Sequence, residues 1–227
     1  MIMHIHNAQL LFSFCFVTMF ILTGLSKFNN SNRLFNTKGI FTKNSTLLIS
    51  LHIAGIFFFG LLPSLFFQQQ FTELLSINVK STISDCCLFI ILLLLFASTA
   101  LHEANKIHSG SLQIYILSNK WLTQYFIARI LFLCAYEIFF RGLLLFSCIE
   151  WYGAPIAIMI STGLTVIIHV FTNKKEMLGC IPFGLILCSC CISIHAVWPA
   201  VLIHTTLSLS HEIPVINYFL TRLKPTR

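Results

Sequence analysis

The sequence predicts an all-α fold, a polytopic membrane helix bundle of about seven transmembrane helices forming one integral membrane domain over residues 1–227. Hydrophobic residues make up 57% of the chain and charged residues only 9%, whereas an ordinary soluble domain carries about a quarter charged. The apolar residues also fall in blocks of the length that crosses a bilayer, about 20 residues of helix. The basic residues behind the formal charge of +7 sit mostly in the short polar connectors between these blocks. There they act as topology determinants and contacts for anionic lipid. This placement argues against a nucleic-acid surface, and the absence of a glycine-rich phosphate loop argues against a nucleotide site.

Residues 8–25 form the first apolar run. No Lys or Arg precedes it and no A-x-A-like site follows, so it reads as a retained helix rather than a cleaved leader. A basic connector with Lys27, Arg33, Lys38 and Lys43 leads to the second span, 46–67. The connector 68–85, with Glu73, Lys80 and Asp85, precedes a short third span, 86–101. Polar residues 102–120 lead into the fourth, from about Trp121 to Ile149, long enough to tilt or to project beyond the hydrocarbon. Arg129 near its start can snorkel. Glu150 to Pro155 is a turn with Gly153 and Pro155 as breakers. The fifth span is 156–172 and the sixth 178–194. A link through His195 to Trp198 leads to the seventh, about 199–211. Trp121, Trp151 and Trp198 fall at span ends, as an aromatic belt places them. All nine cysteines lie inside apolar segments with no paired CxxC motif, which makes them small packing residues. His52, His102, His108, His195 and His211 each stand alone, without a partner motif.

The stretch Tyr136-Glu137-Ile138-Phe139-Phe140-Arg141-Gly142 interrupts this apolar pattern. A charge at membrane depth costs roughly 2.5–3.5 kcal/mol even on lenient scales, and is retained when it pairs, lines a wet cavity or does chemistry. Glu137 and Arg141 are four residues apart, so a helix stacks them on one face, where they neutralise each other. Adjacent positions differ by about 100° on an α-helix, which turns Glu137 away from Tyr136 unless the helix bulges. Two further intramembrane histidines, His169 and His204, join the carboxylate as groups suited to water activation or metal binding. Counted from the span ends, His204 is shallower than His169. The two share a site only if the turn 192–198 dips into the bundle.

Residues 136–145, Tyr-Glu-Ile-Phe-Phe-Arg-Gly-Leu-Leu-Leu, resemble the E-E-x-x-x-R-G signature of the CAAX prenyl protease type 2 membrane endopeptidases, a family with bacteriocin-processing and bacteriocin-immunity members in bacteria. Its second motif, F-x-x-x-H, falls on Thr165 to His169, and its third, H-x-x-x-N, on His204 to Ser208. The resemblance spans about residues 120–212 as a CAAX protease-like core. It implies a helix bundle around a water-accessible cavity, and hydrolysis of a peptide bond in a membrane-associated peptide or protein. His169 would help to activate water, His204 and Ser208 would bind the oxyanion, and Glu137 and Arg141 would organise the site. Three positions depart from the signature: Tyr136 replaces its first glutamate, Thr165 its phenylalanine and Ser208 its asparagine. A phenol is a poor base at neutral pH, so a second reading stands beside the first: a non-cleaving family member that acts as a peptide-binding, immunity or scaffold protein. No cofactor is implied, although a metal or haem on His169 and His204 is left open.

The bacterial members of the family imply a multi-pass protein of the bacterial cytoplasmic membrane. Alternating the sides puts eleven of the fourteen Lys and Arg residues on one side and only Lys80 on the other, so the C-terminus is expected to be cytoplasmic. A reporter fused after Arg227 should score as cytoplasmic, and an external score contradicts the orientation.

Overall fold

A computed structural model describes residues 2–28, 34, 44–75, 83–106 and 118–222. The basic residues Arg33, Lys38, Lys43, Lys80, Lys224 and Arg227, and also His108, lie outside the described residues. Among the described residues the structure is helical, with no strand. The helices in chain order are α1 (Ile2–Phe28), α2 (Ser45–Phe66), α3 (Gln68–Leu75), α4 (Ile83–Asn105), α5 (Asn119–Tyr152), α6 (Ala154–Phe171), α7 (Lys174–Ile194) and α8 (Trp198–Arg222).

Six of them (α1, α2, α4, α5, α6 and α7) are long and apolar enough to cross a membrane. The seventh expected span belongs to α8, which at 25 residues is long enough. With His204, His211 and Glu212 along its length it is too polar to count with the other six. The sequence read 68–85 as a plain connector, yet Gln68–Leu75 is helical and sends Leu74 into the core.

Local signals set the helix ends. Asn44, Ser118 and Asn173 each accept a hydrogen bond from a backbone N–H three residues on, at 3.0, 3.2 and 2.8 Å, and so start α2, α5 and α7. These caps satisfy amides that the first helical turn leaves unpaired. Gly153, at φ 82°, turns α5 into α6, with Pro155 in the first turn of α6. The α5–α6 hairpin thereby places Glu137 and His169 sixteen residues before and after Gly153, at one depth.

α5 is the central helix: 72% of its apolar window is buried, against 33% or less for the other five spans. It is also irregular. Residues Ile138–Leu144 form a wider π-helical turn, a feature that frequents functional sites. A second π turn, Ile56–Leu61 in α2, faces it. Phe59 from that turn is fully buried and packs against Tyr136, Phe139 and Phe140, at ring-centroid distances of 5.9, 4.7 and 5.3 Å. On the opposite side, Ser161 of α6 donates to the Phe140 carbonyl at 2.8 Å.

The α7–α8 link dips into the bundle, the condition under which His169 and His204 share a depth. His195 ends α7 in the left-handed conformation (φ 54°, ψ 41°), and Ala196 and Val197 are buried. The Val197 amide donates to the Leu74 carbonyl at 3.3 Å. A Cβ on Gly142 would meet Leu74 and Val197 at 3.5 and 3.6 Å, so the link rests against the π turn of α5. α8 therefore starts inside the protein, with α4 along its flank.

Packing between membrane helices comes from van der Waals contact rather than from water exclusion, and Phe59 fills the space between the two π turns. Phe59→Ala should lower the stability of the detergent-solubilised protein by about 3 kcal/mol, the cost of emptying a phenylalanine-sized core site. An unchanged unfolding midpoint would mean that the two turns hold together without it.

Candidate functional site

Three helices deliver the polar groups. α5 contributes Tyr136, Glu137 and Arg141, α6 contributes Thr165 and His169, and α8 contributes His204. Glu137 has no exposed surface and Arg141 is 2% exposed. One carboxylate oxygen of Glu137, Oε1, lies 2.5 Å from His204 Nδ1. The other, Oε2, lies 3.5 Å from Arg141 Nε, close enough to attract but not aligned as a hydrogen bond. Glu137 therefore bridges a cation on its own helix and an imidazole on another.

Arg141 is shaped by its surroundings as well as by charge. Its Cζ lies 6.0 Å from the Tyr136 ring centroid and 5.9 Å from that of Phe140, within the range of a cation–π contact. Space for the guanidinium comes from Gly184 on α7. A Cβ there would stand 3.2 Å from Arg141 Nη2, and 2.9 and 3.1 Å from Cγ2 and Oγ1 of Thr162.

His169 occupies the tightened last turn of α6, His169–Phe171, five residues before Lys174. Its Nδ1 lies 2.7 Å from the Thr165 carbonyl. A carbonyl oxygen only accepts, so Nδ1 carries the proton and the lone pair of the neutral ring is on Nε2. In the same way, Nδ1 of His204 donates to the Glu137 carboxylate, which leaves its Nε2 as the second acceptor. Thr165, at the position of the signature phenylalanine, thus fixes the tautomer of His169 through its backbone.

Tyr136 is in ring contact with both histidines. Its ring meets those of His169 and His204 edge-on, with centroids 6.3 and 5.7 Å apart. Its hydroxyl is buried and has no protein hydrogen-bond partner. Tyr136 and Glu137 are consecutive, yet both reach His204. The expected divergence of their directions does not separate them, and the helix widens into its π turn at the next residue, Ile138.

Of the residues singled out in the sequence, Glu137, Arg141, His169 and His204 come together around Tyr136. Glu137 is bonded to His204 rather than to His169. Ser208 is placed elsewhere: its hydroxyl accepts from Arg129 Nη2 at 3.1 Å and donates to Glu212 Oε1 at 3.2 Å. Arg129 does not snorkel to the interface, because its Nε is 3.2 Å from Glu212 Oε1. Tyr125 donates to Glu212 Oε2 at 2.9 Å, and Arg129 Nη1 lies 3.5 Å from Nε2 of His52. His52, read as solitary, is therefore a buried member of a second polar cluster. A signal for that cluster was available in the spacing, since Arg129 is eight residues before Glu137 and Glu212 eight residues after His204.

Among the described residues no group of three or more His, Cys, Asp and Glu side chains could hold a metal ion. The arrangement offers two imidazoles whose Nδ1 atoms are engaged while neither Nε2 has a protein partner, a phenol donor and a buried ion pair. Such a set can move a proton to and from a bound water.

Residues 118–210 match the family model of the type II CAAX prenyl endopeptidase Rce1-like proteins, a stretch that covers α5, α6, α7 and the first half of α8. No curated protein and no solved structure matches the chain.

The two glycines of the site differ in what they allow. Gly184→Ala forces Thr162 and Arg141 apart and should cost about 1–3 kcal/mol, the usual penalty of overpacking. Gly142→Ala meets only ordinary contacts and should be tolerated. Unfolding midpoints of the two variants in one detergent check this, and equal midpoints would contradict the assigned role of Gly184.

Proposed function

We propose, from the match of residues 118–210 to the Rce1-like family model, that the protein is a membrane-embedded endopeptidase. It hydrolyses a peptide bond in a membrane-associated peptide or protein through a water held between His169 and His204. The observation that carries this reading is the 2.5 Å contact of His204 Nδ1 with Glu137, beside a His169 whose Nδ1 is engaged by its own helix.

In this mechanism the water gives one hydrogen bond to each Nε2. As its oxygen attacks the substrate carbonyl, one imidazole takes the proton, and the Glu137 carboxylate stabilises the positive charge when that imidazole is His204. The Tyr136 hydroxyl donates to the oxyanion that forms, in the place first assigned to Ser208. Collapse of the tetrahedral intermediate breaks the C–N bond, and the imidazolium returns its proton to the leaving amine. Arg141, 3.5 Å from Glu137 Oε2, supplies the counter-charge in a site where an unpaired charge would be expensive. Because His169 lies at the end of α6 next to Lys174 and Lys175, the substrate would enter from the basic side, the cytoplasmic face of a bacterial membrane.

A second reading has one specific observation behind it. Tyr136 stands where the family signature has its first glutamate, and a site without that base suits a non-cleaving peptide-binding, immunity or scaffold protein. Purified protein in detergent or vesicles, given internally quenched membrane peptides, separates the two. The endopeptidase should cleave, and His204→Ala or His169→Ala should each lower kcat by about 10²–10⁴, the range for loss of a general base. Cleavage that appears only after Tyr136→Glu would favour the second reading. Equal rates for the wild type and both histidine variants would overturn the first.

A further inference from the structure

The two polar clusters are cross-links between the same pair of helices. On α5, Arg129 and Glu137 are eight residues apart. On α8, which runs antiparallel, His204 and Glu212 are also eight apart. Glu137 with His204 makes one rung and Arg129 with Glu212 the other. At 1.5 Å per residue the rungs are separated by about 12 Å along the helices.

The second rung is the more heavily bonded. Glu212 receives Tyr125 on one oxygen, and Arg129 and Ser208 on the other. Arg129 spends its Nε and Nη2 on Ser208, at 3.3 and 3.1 Å, and its Nη1 lies beside His52 on α2. Ser208 sits one turn from His204 and one turn from Glu212, and its hydroxyl is used entirely within this rung. Tyr125, Ser208 and Glu212 are all buried.

We propose that the Arg129–Glu212 pair is a positioning device. It fixes the register of α8 against α5 and thereby holds the His204 imidazole on Glu137, so Arg129, Glu212 and Ser208 act on the site through His204 without touching substrate. A slip of one residue along α8 moves His204 by about 1.5 Å and swings it by about 100°. A charged pair resists that slip because its partners have no alternative in an apolar surround. An apolar pair of similar volume could pack as well, but it would accept neighbouring registers. Errors of about 1 Å in a reacting group can cost about 10²-fold in rate, which gives such a lock its value. The consequence for catalysis rests on the endopeptidase reading above, while the consequence for His204 does not.

The test uses the full-length protein with ¹⁵N-labelled histidine rings, following the Nδ1–H resonance of His204. Glu137→Leu, which leaves no acceptor for Nδ1–H, supplies the reference for a released imidazole. Arg129→Gln and Glu212→Gln should each shift the resonance toward that reference and lower the thermal midpoint, since each leaves a charge without its counter-charge. The decisive protein is the double variant Arg129→Met/Glu212→Leu. It should recover the midpoint lost in the single variants, yet leave His204 displaced. If the wild type cleaves peptide, the double variant should lose roughly tenfold or more in kcat at unchanged KM. A His204 resonance that stays at its wild-type position in the double variant overturns the proposal, whether or not any peptide is cut. Absence of cleavage by the wild type would defeat the endopeptidase reading and leave the resonance to decide the lock.

Discussion

A carboxylate with no exposed surface cannot remain charged inside a membrane without neighbours that answer it, and the architecture around Glu137 follows from that constraint. Arg141 lies one turn along the same helix and supplies the compensating charge. His204 arrives from another helix and takes the second oxygen. Burying this group of side chains needs helices to approach closely, and the structure supplies the means at each point. Gly184 leaves room for the guanidinium, Phe59 fills the space behind Tyr136, and the buried α7–α8 link lets α8 begin deep enough for His204 to reach Glu137. The same rule recurs at Arg129 and Glu212, where a cation and an anion on facing helices leave the second cluster neutral.

Tyr136 and Glu137 close the regular α-helical part of α5 and leave it in different directions, yet both reach His204. The widening over Ile138–Leu144 coincides with both reaching His204, and Ser161 from α6 supports the turn at the Phe140 carbonyl. The hairpin at Gly153 brings His169 to the same depth. The tautomers are then set by what each Nδ1 touches, a backbone carbonyl at His169 and a carboxylate at His204. Two imidazoles that each reserve Nε2 are a chemical resource that neither residue would offer alone.

Much of this was legible in the chain. Blocks of apolar residues gave the helical class and the positions of the spans, and Gly153 with Pro155 marked the central hairpin. The isolated polar residues Glu137, Arg141, His169 and His204 stood out because hydrocarbon penalises each of them, and the structure does bring these four together. What was not legible came from tertiary geometry. Nothing local announces that Gln68–Leu75 folds into a helix that buries Leu74, or that the 192–198 turn dips inward. Ser208 looked like a site residue because it falls on the last position of the third motif that the resemblance supplies, yet the nearer charges of Arg129 and Glu212 claim its hydroxyl. His52 and Arg129 looked incidental because their partners lie on helices far away in sequence. The eight-residue spacings of Arg129 from Glu137 and of Glu212 from His204 become meaningful only once α5 and α8 are known to be neighbours.

The account stands on Glu137 being an ionised bridge between Arg141 and His204. Infrared difference spectroscopy of wild type against Glu137→Gln, recorded at neutral pH with ¹³C-labelled glutamate to assign the bands, observes that group directly. The substitution should remove an ionised-carboxylate band. Loss of a protonated carboxylic-acid band instead would contradict the account, because a neutral Glu137 would neither balance Arg141 nor orient His204.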